Sequence, residues 1–153
     1  MTPEEKTALN RRVAVAMRWS GLESADAYIA ECWPDGLPEG EGYFYITDNG
    51  GWFGWPPGAR RYETDCGMES PDKEPVPDFA TDPAAADLVK AHMRAQGWHY
   101  RQGWGTDGAW AYVDTREPDY IIGESYQQEG ESHALCLSFL AAHDAQEQEG
   151  EKP

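Results

Sequence analysis

The sequence predicts an α+β fold, an antiparallel β-sheet of hairpins or a meander packed by three or four α-helices in a sandwich-like arrangement. Three observations carry that expectation. Apolar residues recur at helical spacing near both ends of the chain and again around residue 88. Aromatic and β-branched runs alternate around residues 43–55, 98–114 and 119–126. Glycine, proline and asparagine mark the boundaries between them. With 153 residues, 40% hydrophobic and 12% aromatic, the chain can bury a core of its own. One compact domain is expected over residues 1–145, with a Pro-rich loop at about 56–80 and an acidic, disordered tail at 146–153.

The first helix is placed from Pro3 to Arg18, where Leu9, Val13, Ala16 and Met17 share a face and Thr2, Pro3 and Glu5 suit an N-terminus. A shorter helix is expected from Ser24 to Cys32, with Ala25, Tyr28, Ile29 and Cys32 together and Pro34 stopping it. In GYFYITDNGGWFGW, Asn49-Gly50 separates two β-prone runs and fits a tight hairpin turn. Pro57, Pro71, Pro75 and Pro77 then interrupt regular structure. TDPAAADLVKAHMRAQG is the clearest helix: Asp82 caps it, Pro83 takes the first position, Gly97 stops it, and Ala85, Leu88, Val89 and Met93 form a buried stripe. The last helix is expected from Glu131 or Ser132 to about Ala145, carrying Leu135, Leu137, Phe139 and Leu140.

Between these two helices lies GWHYRQGWGTDGAWAYV, with three tryptophans and two tyrosines. Strand alternation puts Trp98, Tyr100 and Gln102 on one face and His99 and Arg101 on the other. Trp110 and Tyr112 share a face across the GWGTDG loop, and the aromatic cluster, Trp104 apart, is read as the aromatic side of a hairpin that covers the helices. Trp104 falls in the turn and is left as an exposed contact residue. DYIIGESY adds a third strand.

Charge narrows the partners. There are 28 acids against 12 bases, a formal net of -16, which opposes the phosphate contacts of nucleic-acid binding. Glu23, Asp26, Glu31, Asp35, Glu39, Glu41 and Asp48 all fall in a stretch without Lys or Arg. Such a surface keeps a protein soluble, or imitates the phosphates of DNA toward a basic partner. No apolar run is long enough to span a membrane, and MTPEEKTALNRR has no secretory h-region, so a cytoplasmic location is expected. Cys32, Cys66 and Cys136 show no CxxC pairing and are read as reduced thiols.

No catalytic constellation is recognisable. His92, His99, His133 and His143 form no HxxxH or HExxH spacing, and no two cysteines form a CxxC pair, so no metal or cofactor is expected. GxSxG and Walker motifs are absent, and the glycines of GWGTDG lack the strand-then-helix context of a dinucleotide fingerprint and are read as a hairpin loop. An enzyme would have to be built around His133 or His99 with nearby acids. The segment from Trp52 to Arg61 is the better ligand site: Trp52 and Trp55 offer ring faces to a base, and Arg60 and Arg61 offer guanidinium forks to a phosphate. The bland alternative is that the arginines lie over rings or beside local acids.

The order of LNRRVAVAMRW, a PP-containing loop, DFATDPAAADLVKAHMRAQGWHY, a glycine-broken hairpin and HALCLSFLAAH resembles the phage ABA sandwich domain family. The resemblance covers the first helix and roughly residues 78–143, and TDPAAADLVKAHMRAQGW is its most specific part. It implies an antiparallel sheet packed by helices and an origin in a phage or prophage in the bacterial host cytoplasm. It brings no catalytic residues. The function this supports is a noncatalytic accessory protein that binds a protein partner, without direct nucleic-acid binding and without a membrane. The alternative is a counter-defence protein that sequesters a small nucleotide signal or mimics DNA.

Overall fold

The computed structural model describes residues 1–35, 51–115 and 122–151, and these fall into two compact units. Both are built from helices and antiparallel strands, so the chain is α+β.

The first unit comprises Met1–Met17 and Pro77–Pro153. Helix α1 spans Pro3–Ala16. Its start is a full capping box: the Thr2 hydroxyl accepts from the Glu5 amide at 3.1 Å, and the Glu5 carboxylate accepts from the Thr2 amide at 3.0 Å. Helix α3 spans Pro83–Ala95, with the Asp82 carboxylate accepting from the Ala84 amide at 3.0 Å. It ends in a Schellman motif: Gly97, at φ 78°, donates to the Arg94 carbonyl, and Trp98 donates to the Met93 carbonyl. Trp98 and Met93 are both buried, which supplies the apolar contact that such an end requires. The buried residues of α3 are Ala85, Ala86, Val89 and Met93; Leu88, expected in the stripe, is 48% exposed.

Strands β6 (His99–Gly105), β7 (Gly108–Asp114) and β8 (Ile122–Gln128) form an antiparallel meander in that order. Gly105 pairs with Gly108, so the hairpin loop is only Thr106-Asp107, and Trp104 belongs to β6 opposite Ala109. The turn placement of Trp104 is therefore corrected: a two-residue loop uses fewer residues than GWGTDG offered. The terminal helix α4 runs Glu131–Glu151, past Ala145 and through most of the stretch expected as a disordered tail.

α4 packs on β7 and β8, and the approach is close enough to select the residues of the sheet. A Cβ on Gly123 would lie 2.1 Å from the Ser138 carbonyl oxygen, and the Ser138 hydroxyl donates to the Ala111 carbonyl at 3.0 Å. Only small side chains fit beneath such a helix. Ala109, Ala111 and Val113 fill the space on β7, and each is fully buried. Phe139 and Leu135 on α4 join Val13, Phe79, Val89 and Met93 in the core, all within 2% of complete burial. Trp98 and His92 meet the Phe139 ring at centroid distances of 5.9 and 5.7 Å, the latter edge-on.

The second unit comprises Arg18–Val76. Strands β1 (Ser20–Ser24), β2 (Trp52–Trp55) and β5 (Glu74–Pro75) form an antiparallel sheet in the order β1-β2-β5, which leaves Pro75 on an edge where its missing donor is harmless. Helix α2, Ala25–Cys32, is capped by the Ser24 hydroxyl, which accepts from the Ala27 amide at 3.2 Å. It covers the sheet through Ala25, Tyr28 and Ile29, and Tyr28 stacks on Phe53 at 4.7 Å between centroids. Cys32, expected on the same face, is exposed. Within the stretch expected as a Pro-rich loop, strands β3 (Tyr62–Thr64) and β4 (Gly67–Glu69) make a small hairpin. The Asn49-Gly50 hairpin turn lies outside the described residues.

Candidate functional site

The register of β6, β7 and β8 decides which side chains are available. Arg101 pairs with Tyr112, Gly103 with Trp110, and Tyr112 with Glu124, so these residues share one face of the sheet. Ala109, Ala111 and Val113 are on the other face, under α4. The aromatic residues of β7 are thus turned away from the helix, and the reading of Trp110 and Tyr112 as helix-covering residues is corrected. The physical reason is the closeness of α4: a ring between Ala111 and Ser138 has no room where a 3.0 Å hydrogen bond already joins them.

This outer face forms a shallow groove of about 610 Å³, lined by His99, Arg101, Trp110, Tyr112, Asp114 and Tyr126. Trp110 lies over Gly103, whose absent Cβ would sit 3.0 Å from the indole. Glycine at 103 is what lets the ring lie flat on its own sheet. Trp110 and Tyr112 are half-buried, while Tyr126 is 57% and Ile122 43% exposed. Large rings on the strand face turned away from α4 are the residue types that dominate protein interfaces.

A second cleft, about 500 Å³, opens at the other face of β6, between the starts of α3 and α4. Trp104, 60% exposed, forms one wall, with Gln102 and His133 deeper in. Burial pushes the His133 imidazole below its ordinary value, and this outweighs the opposing pull of Glu129, so the ring is neutral near pH 7. Its Nδ1 is buried and, among the described residues, has no hydrogen-bond partner. Ser132 and Glu131 are its neighbours on α4. Among the described residues, no group of three or more His, Cys, Asp or Glu is placed to hold a metal ion.

The ligand residues expected upstream lie in the second unit, at and after β2. By strand alternation, Trp52 and Trp55 occupy opposite faces of β2. The Trp55 ring is already covered: Lys73 Nζ lies 4.9 Å from its centroid, and its Nε1 donates to the Pro71 carbonyl at 2.6 Å. Lys73 in turn pairs with Glu23 at 2.6 Å, so the cation over Trp55 is held by an acid of the base-poor stretch. Arg61 donates to the Met68 carbonyl at 3.0 Å across the β3–β4 hairpin, and Arg60 is exposed. Of the acids in the stretch without Lys or Arg, Glu39, Glu41 and Asp48 lie outside the described residues.

Sequence reasoning missed Tyr126 and misplaced Trp110 and Tyr112. A usable signal was present in α4, where Ala134, Ser138 and Ala142 recur at four-residue spacing and mark a helix face made for close approach. Opposite such a face, GAWAYV must turn its alanines inward. Compared with known proteins, the chain matches no family model, no curated protein and no solved structure. Among the described residues, no helix is long and apolar enough to cross a membrane.

Proposed function

We propose that this chain is a noncatalytic binding protein, a phage or prophage accessory factor, that engages a protein partner through the outer face of β6, β7 and β8. One observation carries the reading: Trp110, Tyr112 and Tyr126 stand on the side of the sheet turned away from α4, with Tyr126 57% exposed, while small residues fill the side beneath the helix. Flat aromatic surface with Arg101 and His99 at its side supplies hot-spot chemistry at low conformational cost. The net charge of -16 favours a partner with a basic surface, since complementary fields speed encounter and exclude acidic competitors.

Affinity purification from the bacterial host tests this. Wild-type chain retains a stoichiometric partner; Trp110→Ala and Tyr126→Ala lose it, and Val15→Ser, altering an exposed residue of α1, keeps it. Retention of the same partner by the Trp110→Ala and Tyr126→Ala chains, or absence of any stoichiometric partner, contradicts the reading. The nucleotide-sequestering alternative at Trp52, Trp55, Arg60 and Arg61 has less support, because Lys73 already occupies the Trp55 ring face.

A further inference from the structure

We infer that the edge of β6 pairs with the same strand of a second copy of this chain, antiparallel and centred on Gln102, so that two meanders join into one continuous sheet. In the order β6-β7-β8 the described sheet has two edge strands, and they differ. β8 is blunted: its register with β7 shifts between Ala109 and Ala111, Gln127 takes φ 60°, and the Gln128 side chain donates to the Tyr126 carbonyl at 2.8 Å. β6 carries none of these devices. Its 7 residues pair with β7 without a shift, and they include neither proline nor lysine.

The hairpin fixes what this edge offers. Its two-residue loop makes Gly105 and Gly108 a hydrogen-bonded pair, so by alternation Gly103, Arg101 and His99 also bond to β7. Tyr100, Gln102 and Trp104 therefore direct their N–H and C=O groups out of the sheet, and among the described residues no other backbone bonds to them there. A two-fold axis at Gln102 gives every one of these groups a partner: Gln102 faces Gln102 of the second copy, and Tyr100 faces Trp104 in both directions. Centring on Arg101 sets two guanidinium groups against each other. Centring on Gly103 carries Tyr100 past the strand end, opposite Thr106 of the loop.

The side chains suit the same register. Trp104, 60% exposed, comes beside Tyr100 of the second copy, a cross-strand aromatic pair on one face. Tyr100 is already positioned for it, with Lys90 Nζ 5.8 Å from its ring centroid and its hydroxyl accepting from Arg94 at 3.1 Å. On the other face Arg101 comes opposite Gly103 of the second copy, where no Cβ intervenes and the Trp110 indole rests, so a guanidinium meets an aromatic ring. This pairing is made at the edge and does not rest on the partner proposed for the outer face. The two associations also respond oppositely to salt. Each copy carries a net charge of -16, so screening strengthens self-association, whereas it weakens attraction to a basic partner.

Sedimentation equilibrium of the full chain at up to about 200 μM, where even a weak dimer is populated, tests the pairing at roughly 0.05 and 0.5 M salt. The expected result is a reversible monomer–dimer equilibrium whose dissociation constant falls by roughly tenfold at the higher salt. Trp104→Lys, which places a charge on the edge at an exposed position, abolishes the dimer while the melting temperature is held. In a chain that also carries Cys32→Ser and Cys66→Ser, Arg101→Cys is joined to a second copy by a short bismaleimide, since the two copies of residue 101 become diagonal neighbours about 7–8 Å apart. Tyr126→Cys in the same background, on the blunted edge, is not joined. A monomer at every concentration and at both salts overturns the inference. So does a dimer that survives Trp104→Lys, or crosslinking from position 126 but not from 101.

Discussion

Asn10 and Asp78 illustrate how a single residue can hold an element in place. Asn10, 8% exposed on α1, donates to the Asp78 carboxylate at 3.0 Å and accepts from the Ala80 amide at 2.9 Å. Thr81 and Lys6 close on the same carboxylate. Burial pushes the Asp78 carboxyl up, but the bonds from Thr81, Asn10 and Lys6 outweigh it and hold the group below its usual 3.8. The unfolded chain therefore takes the proton first. The stability that Asp78 confers is complete above about pH 3.8 and is lost as pH falls through the lower folded value. Urea titrations across this window show a steeper loss for wild type than for Asp78→Asn. Asn10→Ala costs about 2 kcal/mol in the same measurement at pH 7, since two bonds go and the Ala80 amide is left buried. Neither role was legible in the sequence, because the partners are 68 and 70 residues apart and no local pattern encodes such a pairing. Cys136 is a clearer case of local chemistry. Burial pushes its thiol up to about 12, while Cys32 and Cys66 are exposed. Two thiols per chain react promptly with a disulfide reagent in native buffer, and the third reacts only after denaturation; three prompt thiols would contradict the burial of Cys136.

For whole elements, legibility depended on how local the determinants are. α1 and α3 were readable because caps, first-turn prolines and a glycine stop act within a few residues. The meander was readable as strands, from its alternation and its glycine-flanked turn. Its polarity was not, since alternation states that two faces differ without saying which one is covered. The aromatic face looked like core on hydrophobicity, and the helix spacing reversed that choice: Gly123 touches the backbone of α4, so the inward residues had to be small. The stretch from Pro56 to Ala80 was read from its prolines as loop, yet Tyr62–Thr64 and Gly67–Glu69 pair in the interval between them. Close packing of α4 makes a sharp prediction. Gly123→Ala must push α4 off β8, lowering stability by about 3 kcal/mol. Gly130→Ala, with nothing within 4 Å of its new methyl, leaves stability within about 0.5 kcal/mol of wild type. Equal melting temperatures for the two variants would contradict the packing described for this sheet.

On the scale of the molecule, composition spoke clearly about exclusions and faintly about function. A net charge of -16 argues against nucleic acid and toward a basic partner, but it does not select a surface. That selection comes from the sheet, where Trp110 rests on Gly103 and Tyr126 stands 57% exposed. The ligand residues expected between Trp52 and Arg61 illustrate the reverse: nearness in sequence suggested one pocket, while strand alternation sets Trp52 and Trp55 on opposite faces and Lys73 lies over Trp55. If the outer face binds as proposed, rising salt slows association with the partner, and Trp110→Ala accelerates dissociation, because steering acts on encounter and buried anchors act on lifetime. Site-specific photo-crosslinking tests the central claim most directly. A benzophenone amino acid placed at Tyr126 is predicted to capture one protein partner in cells that produce the chain, and the same group at Val15 on α1 to capture none. Crosslinking from position 15 but not from 126 would place the interface elsewhere and contradict the account.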